Sequence, residues 1–288
     1  MFVKSPEMSV ALDKKSEEFA KVIEKKSETI FDNYDDSAIM TILRDNDKQY
    51  LYYFIGRMNP PHSGHIFALQ KLVETANKNS SVPLILVGSG PKGERTLDNP
   101  IPFELKQEFI RSKVKGIYIL EEMTSPTSNV SRYVKRIFNL MLSIKDFKKL
   151  DIIHMAGDKE GDSTKLNFIK PFAESAAKSI KNDIVVTTGT RAITPLKIDG
   201  EEMSATKVRK DAYSNFINGI DFKAKYKDFY GEFTDRIYDA IIEPAKGLEK
   251  EQIEDYINTG KLPKITKSTT RKPKRKLSKG GKRRTKKC

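Results

Sequence analysis

Two of the chain's three histidines, His62 and His65, stand three positions apart in the stretch GRMNPPHSGH, residues 56–65. Each imidazole brings ring nitrogens that can donate hydrogen bonds. Gly56 lets the chain turn sharply, and Pro60 and Pro61 stiffen the loop beyond it. Gly64 lets the start of a helix approach a ligand closely, where free amides and the helix dipole attract phosphate. The stretch contains no carboxylate, so it does not read as a general acid–base pair. A second candidate is MSATKVR, residues 203–209. Ser204 suits a helix N-cap, Ser204 and Thr206 carry hydroxyls at the same helix start, and the Arg209 guanidinium can grip phosphate with two N–H groups. Together these residue types suit polyphosphate binding more than nucleophilic catalysis.

The elements around them must bring the two stretches together. Leu51–Ile55, Leu84–Val87, Ile117–Leu120, Ile152–Met155 and Ile184–Val186 are short apolar runs of buried-strand character. Between them lie segments of helical period. Leu69, Leu72, Val73 and Ala76 form the first stripe, and the second segment has Pro102 at its start and Lys113 and Lys115 at its end. Val130, Val134, Ile137, Met141 and Ile144 form the third stripe, and Ile169, Phe172, Ala173, Ala176 and Ile180 the fourth. Five alternations predict an α/β fold with a parallel five-stranded sheet and helices on both faces, ligands binding beyond the carboxyl ends of the strands. From Ser204 the pattern is helical only, with expected helices over 204–213, around Phe233, Ile237 and Ile241, and over 248–257. The expected divisions are a charged helical or partly ordered extension at 1–47, a main domain at 48–215, helices packed on it at 216–260, and a basic tail at 261–288.

The pattern G-x(3)-P-x-H-x-G-H after a first strand resembles the signature of the nucleotidyltransferase superfamily of α/β-phosphodiesterase type, whose fold is Rossmann-like. The fuller string is most similar to archaeal-type and phage-type nicotinamide mononucleotide adenylyltransferases, usually G-R-F-x-P-x-H-x-G-H. Met58 stands here in place of the aromatic residue, with Asn59 after it. MSATKVR resembles the same family's late I-S-x-T-x-x-R. The resemblance covers roughly residues 50–215 and implies transfer of a nucleoside monophosphate, AMP from ATP, to a small phosphorylated acceptor, with pyrophosphate released. It implies catalytic roles for His62, His65 and Arg209, and nucleotide contacts for Gly56, Arg57, Met58, Asn59, Gly64, Ser204 and Thr206. It also implies acceptor contacts in GSGPKGERTLDNP (Gly88, Ser89, Lys92, Arg95 and Asn99) and at Asp158 of GDKEGDSTKL. Mg²⁺ would accompany ATP, held by substrate oxygens and water rather than by a protein metal site. Cytidylyltransferase or phosphopantetheine adenylyltransferase chemistry stays open, and a weaker echo of class I aminoacyl-tRNA synthetases lies in H-x-G-H and Met203–Lys207. An inactive scaffold is disfavoured by the intact His62, His65 and Arg209. His154, inside an apolar run, reads as a core histidine.

Charge and cysteine content narrow the context. The net charge is +14, yet residues 261–288 hold fourteen Lys or Arg and no acid, leaving 39 basic and 39 acidic residues before them. A uniformly basic nucleic-acid-binding body is thereby excluded. The tail's composition predicts disorder, and its clusters fit an import-receptor signal or a nonspecific nucleic-acid arm. Cys288 is the one cysteine, which excludes internal disulfides and cysteine-ligated zinc. With no apolar signal core and no membrane-length apolar run, the expectation is an intracellular protein, cytoplasmic or nuclear. The sequence leaves the oligomeric state open.

Overall fold

A computed structural model describes residues 36–44, 49–88, 95–157, 164, 166–194, 197–198, 201–219 and 221–263. Five strands carry the fold: β1 (Tyr50–Gly56), β2 (Leu84–Val87), β3 (Ile119–Glu122), β4 (Lys149–Gly157) and β5 (Val185–Ile193). All pair in parallel, in the order β3-β2-β1-β4-β5. The chain builds outward from β1 to β3 and then crosses to the other side of β1 for β4 and β5. The loops leaving β1 and β4 therefore diverge, and a crevice opens at their carboxyl ends. This is the Rossmann-like α/β architecture, and its central strand delivers the His62–His65 stretch straight into the crevice.

Helices cover both faces. On one lie α1 (Asp36–Leu43), α4 (Pro126–Ile144) and α5 (Lys170–Lys178), packed on Leu51, Tyr53, Ile119 and Ile152. On the other lie α2 (Ser63–Lys78) and part of α3 (Phe103–Lys113), packed on Tyr52, Phe54, Ile85 and Leu120. Leu69, Leu72, Val73 and Ala76 are all buried, as the helical period predicts. The Tyr133 hydroxyl, reaching down from α4, donates to Val82 O at 2.9 Å and accepts from Tyr52 N at 3.2 Å. It serves backbone groups at the point where β2 has not yet begun.

A third core joins the C-terminal helices to α3 and the loop before it. It is formed by α6 (Ala205–Asn218), α7 (Phe222–Tyr230), α8 (Thr234–Ile242) and α9 (Lys250–Thr259), with Leu97, Ile101, Leu105 and Phe109 beneath them. Helix α6 runs through position 215, and α7 is an element the sequence period does not reveal. A two-stranded hairpin, β6 (Lys197–Ile198) with β7 (Glu201–Glu202), lies between β5 and α6.

Several expectations are corrected. The third strand starts two residues late, at Ile119, while Ile117 is 36% exposed. It extends to Glu122 because Glu121 is buried against α4, where its Oε2 accepts from Asn129 Nδ2 at 3.0 Å. β4 and β5 are longer than their apolar runs because they pair with each other over nine positions, polar Thr187, Thr188 and Arg191 included. Phe172 is 52% exposed and does not join the buried stripe of Ala173 and Ala176. Part of the charged extension belongs to the core: Ile39 and Leu43 are buried beside Val134 and Phe138. Residues 1–35 and 264–288, the latter holding nearly all of the basic tail, lie outside the described residues. No helix among the described residues is long and apolar enough to cross a membrane.

If α1 is part of the folding unit, truncating its buried anchor must lower global stability. Ile39→Ala is expected to cost about 2–4 kcal/mol in urea-induced unfolding, and an unchanged midpoint would place α1 outside the cooperative core.

Candidate active site

A cavity of about 580 Å³ opens at the carboxyl ends of β1 and β4. The loop that leaves β1 forms one wall. Met58 takes φ +46, a left-handed conformation that costs a non-glycine residue energy, and the Asn59–Pro60 peptide is cis. The surroundings hold this loop at four points. Lys106 Nζ donates to Arg57 O at 3.1 Å, and Ile101 N donates to Asn59 Oδ1 at 2.8 Å. Arg209 Nη1 donates to Asn59 O at 2.6 Å, and the Tyr230 hydroxyl donates to Pro61 O at 2.8 Å. The bond from Ile101 N orients the Asn59 amide. Its Nδ2 has no protein partner among the described residues, which leaves a buried donor in the cavity wall.

Helix α2 begins at this wall. Its N-cap residue, His62, makes no side-chain cap, and the first turn holds no acid. The positive end of a 16-residue helix is thus set at the cavity with no capping side chain and no acid to offset it. Gly64 lines the opening, and a Cβ there would stand 3.1 Å from the His62 ring. A Cβ on Gly56 would come within 2.8 Å of the Phe54 ring, so the turn out of β1 also needs glycine. The His62 and His65 rings lie against each other, centroids 3.8 Å apart and planes 30° apart, and both line the cavity.

The opposite wall comes from α6. Ser204 caps that helix, its Oγ accepting from Lys207 N at 3.1 Å. It does not line the cavity, whereas Thr206 and Arg209 do. Arg209 is 7% exposed and strongly engaged. Besides its bond to Asn59 O, Nη2 donates to Asp98 Oδ1 at 3.1 Å and Thr206 Oγ1 at 3.3 Å, and Nε donates to the Tyr256 hydroxyl at 3.2 Å. That hydroxyl in turn donates to Asp98 Oδ1 at 2.6 Å and lies 3.2 Å from Leu97 O. Burial first, and then the Asp98 carboxylate, push the Tyr256 phenol up to about 12.

Of the residues singled out from sequence, Gly56, Arg57, Met58, Asn59, His62, Gly64, His65, Thr206 and Arg209 meet around this one cavity. Ser204 serves the helix instead. Gly88 lies behind the wall, its carbonyl accepting from Lys106 Nζ at 2.6 Å. Arg95 and Asn99 line a separate cavity of about 150 Å³ at the start of α3. Ser89, Lys92 and Asp158 lie outside the described residues. His154 is buried and stacked on Tyr53, centroids 4.9 Å apart, as a core histidine would be, and it also borders the cavity.

Sequence reasoning passes over Asp98, Lys106, Tyr230 and Tyr256. A signal exists only for Asp98, as the neighbour of Asn99. The other three sit on helices with no motif of their own.

No family model and no curated protein matches the chain. Similar solved structures include a bifunctional NMN adenylyltransferase/ADP ribose pyrophosphatase from Francisella tularensis, 18% identical, covering 75% of this chain and 58% of that one, TM-score 0.40. Another is a macrolide-efflux protein from Streptococcus pneumoniae, 14% identical, covering 62% and 56%, TM-score 0.30. A third is Thermotoga maritima TmcAL bound with alpha-thio ATP, 11% identical, covering 68% and 56%, TM-score 0.31. The chain thus spans a little over half the length of each of these structures. At these scores the functional reading rests on the site's own geometry.

Lys106 gives a direct test of how the wall is held. Burial draws its ammonium down to about 7 from the ordinary 10.5, with Glu122 opposing. Because the folded value is the lower one, protonation favours the unfolded chain. The penalty is full below pH 7 and fades as pH rises towards 10.5. Lys106→Met removes this dependence. The stability advantage of the natural chain over the variant is therefore expected to grow from pH 7 to 9.5, by up to about 1.4 kcal/mol per pH unit. Parallel urea titrations at the two pH values check it.

Proposed function

We propose that the protein is a nucleotidyltransferase that transfers a nucleoside monophosphate from a nucleoside triphosphate to a phosphate-bearing acceptor. ATP is the favoured donor and nicotinamide mononucleotide the favoured acceptor, with NAD and pyrophosphate as products. One observation carries the reading. Two stretches about 150 residues apart, GRMNPPHSGH and MSATKVR, face a single cavity and are joined by the bond from Arg209 Nη1 to Asn59 O at 2.6 Å. The ATP and nicotinamide mononucleotide preferences rest on the likeness of those two strings, Arg57 included, to the adenylyltransferase signatures.

In the reaction, an oxygen of the acceptor phosphate attacks the α-phosphorus of the triphosphate. A new P–O bond forms, the bond to the β-phosphate oxygen breaks, and pyrophosphate leaves with that electron pair. The acceptor phosphate is anionic at neutral pH, so no side chain has to remove a proton. What the protein must supply is alignment of two anions and donors for the charge on the α-phosphate and leaving group. His62, His65, Asn59 Nδ2 and the first amides of α2 would meet the triphosphate from one wall, and Thr206 and Arg209 from the other.

Mg²⁺ fits this arrangement as an ion carried by the nucleotide. Asp98 is the one carboxylate among the described residues that line the cavity, and no cluster of three or more His, Cys, Asp or Glu among the described residues could cage a metal. Bound in that way, it would screen the polyphosphate charge.

Purified protein is to be incubated with ATP or CTP and a panel of phosphorylated acceptors, with pyrophosphate release as the readout. Release with ATP and nicotinamide mononucleotide supports the specific reading, release with another pair only the general one, and none with any pair rejects both. His62→Ala and His65→Ala are each expected to lower kcat about 10²–10³-fold. Near-normal turnover in His65→Ala would remove that residue from the mechanism.

A further inference from the structure

Arg209 is tied into the protein by more of its donors than a free phosphate-gripping guanidinium would be. A guanidinium has five N–H groups. Here Nε–H goes to Tyr256, one Nη1–H to Asn59 O, and the two Nη2–H groups to Asp98 and Thr206. One Nη1–H and the positive charge are left to act on a ligand. The arrangement therefore leaves a single N–H rather than the two-pronged grip that MSATKVR alone suggests.

We propose that Asp98 and Tyr256 are positioning residues that fix the Arg209 guanidinium at the cavity wall before a polyphosphate arrives, making α9 a working part of the site. Tyr256 is 1% exposed and its hydroxyl touches three partners at once: Arg209 Nε, Asp98 Oδ1 and Leu97 O. Tyr213, from α6 itself, donates to the same Leu97 carbonyl at 2.9 Å, and its ring meets that of Tyr256 edge-on with centroids 5.6 Å apart. The loop carrying Leu97 and Asp98 is thereby locked between α6 and α9. The planar fork keeps its orientation because contacts along two of its edges fix both its tilt and its rotation. Asp98, with its side chain 38% exposed, partly offsets the guanidinium charge, so position rather than raw charge becomes what Arg209 supplies.

The proposal rests on the polyphosphate-binding reading, and its test separates the two. Tripolyphosphate binding by calorimetry and pyrophosphate release are to be measured for the full chain, Tyr256→Phe, Arg209→Ala and the double variant, with thermal melts to confirm folding. Tyr256→Phe alone is expected to weaken both readouts about 10-fold, the loss of one hydrogen bond to a charged group, and to add nothing in the Arg209→Ala background. A purely structural tyrosine would cause equal losses in both backgrounds. That result, or full-strength binding by Tyr256→Phe, overturns the proposal. Should Tyr256→Phe not fold, Asp98→Asn takes its place, since it keeps an acceptor for the Tyr256 hydroxyl. Its effect must likewise vanish without Arg209, and persistence overturns the proposal. Tripolyphosphate binding with an intact cycle but no turnover on any acceptor supports the positioning role and counts against nucleotidyl transfer. No tripolyphosphate binding by the full chain rejects both.

Discussion

A buried arginine holds this site together. Arg209 hydrogen-bonds a carbonyl of the β1 loop, a carboxylate of the loop before α3, a hydroxyl on its own helix and a phenol on α9. Burying a guanidinium at 7% exposure is costly unless its donors are met, and here four are. Two of them, to Asn59 O and Asp98, join the α/β part to the C-terminal helices, and the bond to Tyr256 ties α6 to α9. The bond to Asn59 O links the two stretches that line the cavity directly, where other polar ties, such as Tyr230 to Pro61 O and Tyr213 to Leu97 O, hold the same units together from further off.

The sheet makes that junction possible. Because strand order reverses at β1, the loops after β1 and β4 diverge, and a crevice forms between them from topology alone. The crevice is then furnished with donors: the open end of α2, two adjacent imidazoles, the Asn59 amide and the arginine. A near-neutral body can attract a highly charged ligand through such local fields, with no need for overall positive charge. The placing of fourteen basic residues in the tail and none in excess elsewhere agrees with that division of labour.

Much of this is legible in the sequence because the strands of a parallel sheet are apolar runs and its helices carry clear stripes. The apolar runs mark all five strands, and the residue types of GRMNPPHSGH and MSATKVR mark both as facing one ligand. Strand ends are less legible. Glu121 sits in the core where Asn129 and Arg132 meet its carboxylate, and Thr187 and Arg191 are in a strand because β4 is beside them. Ser204 is of a type equally able to cap a helix or meet a ligand, and the structure uses it as the cap. Lys106 and Tyr256 give no signal at all. A lysine or tyrosine on a helix reads as surface or core until tertiary structure reveals the carbonyls and carboxylate it meets.

The chain has three histidines, and His62, His65 and His154 all border the same space. Every imidazole resonance in a nuclear magnetic resonance spectrum of this protein therefore originates at the cavity wall. Selective isotope labelling of histidine would turn the whole signal into a gauge of occupancy, with no background from elsewhere in the chain.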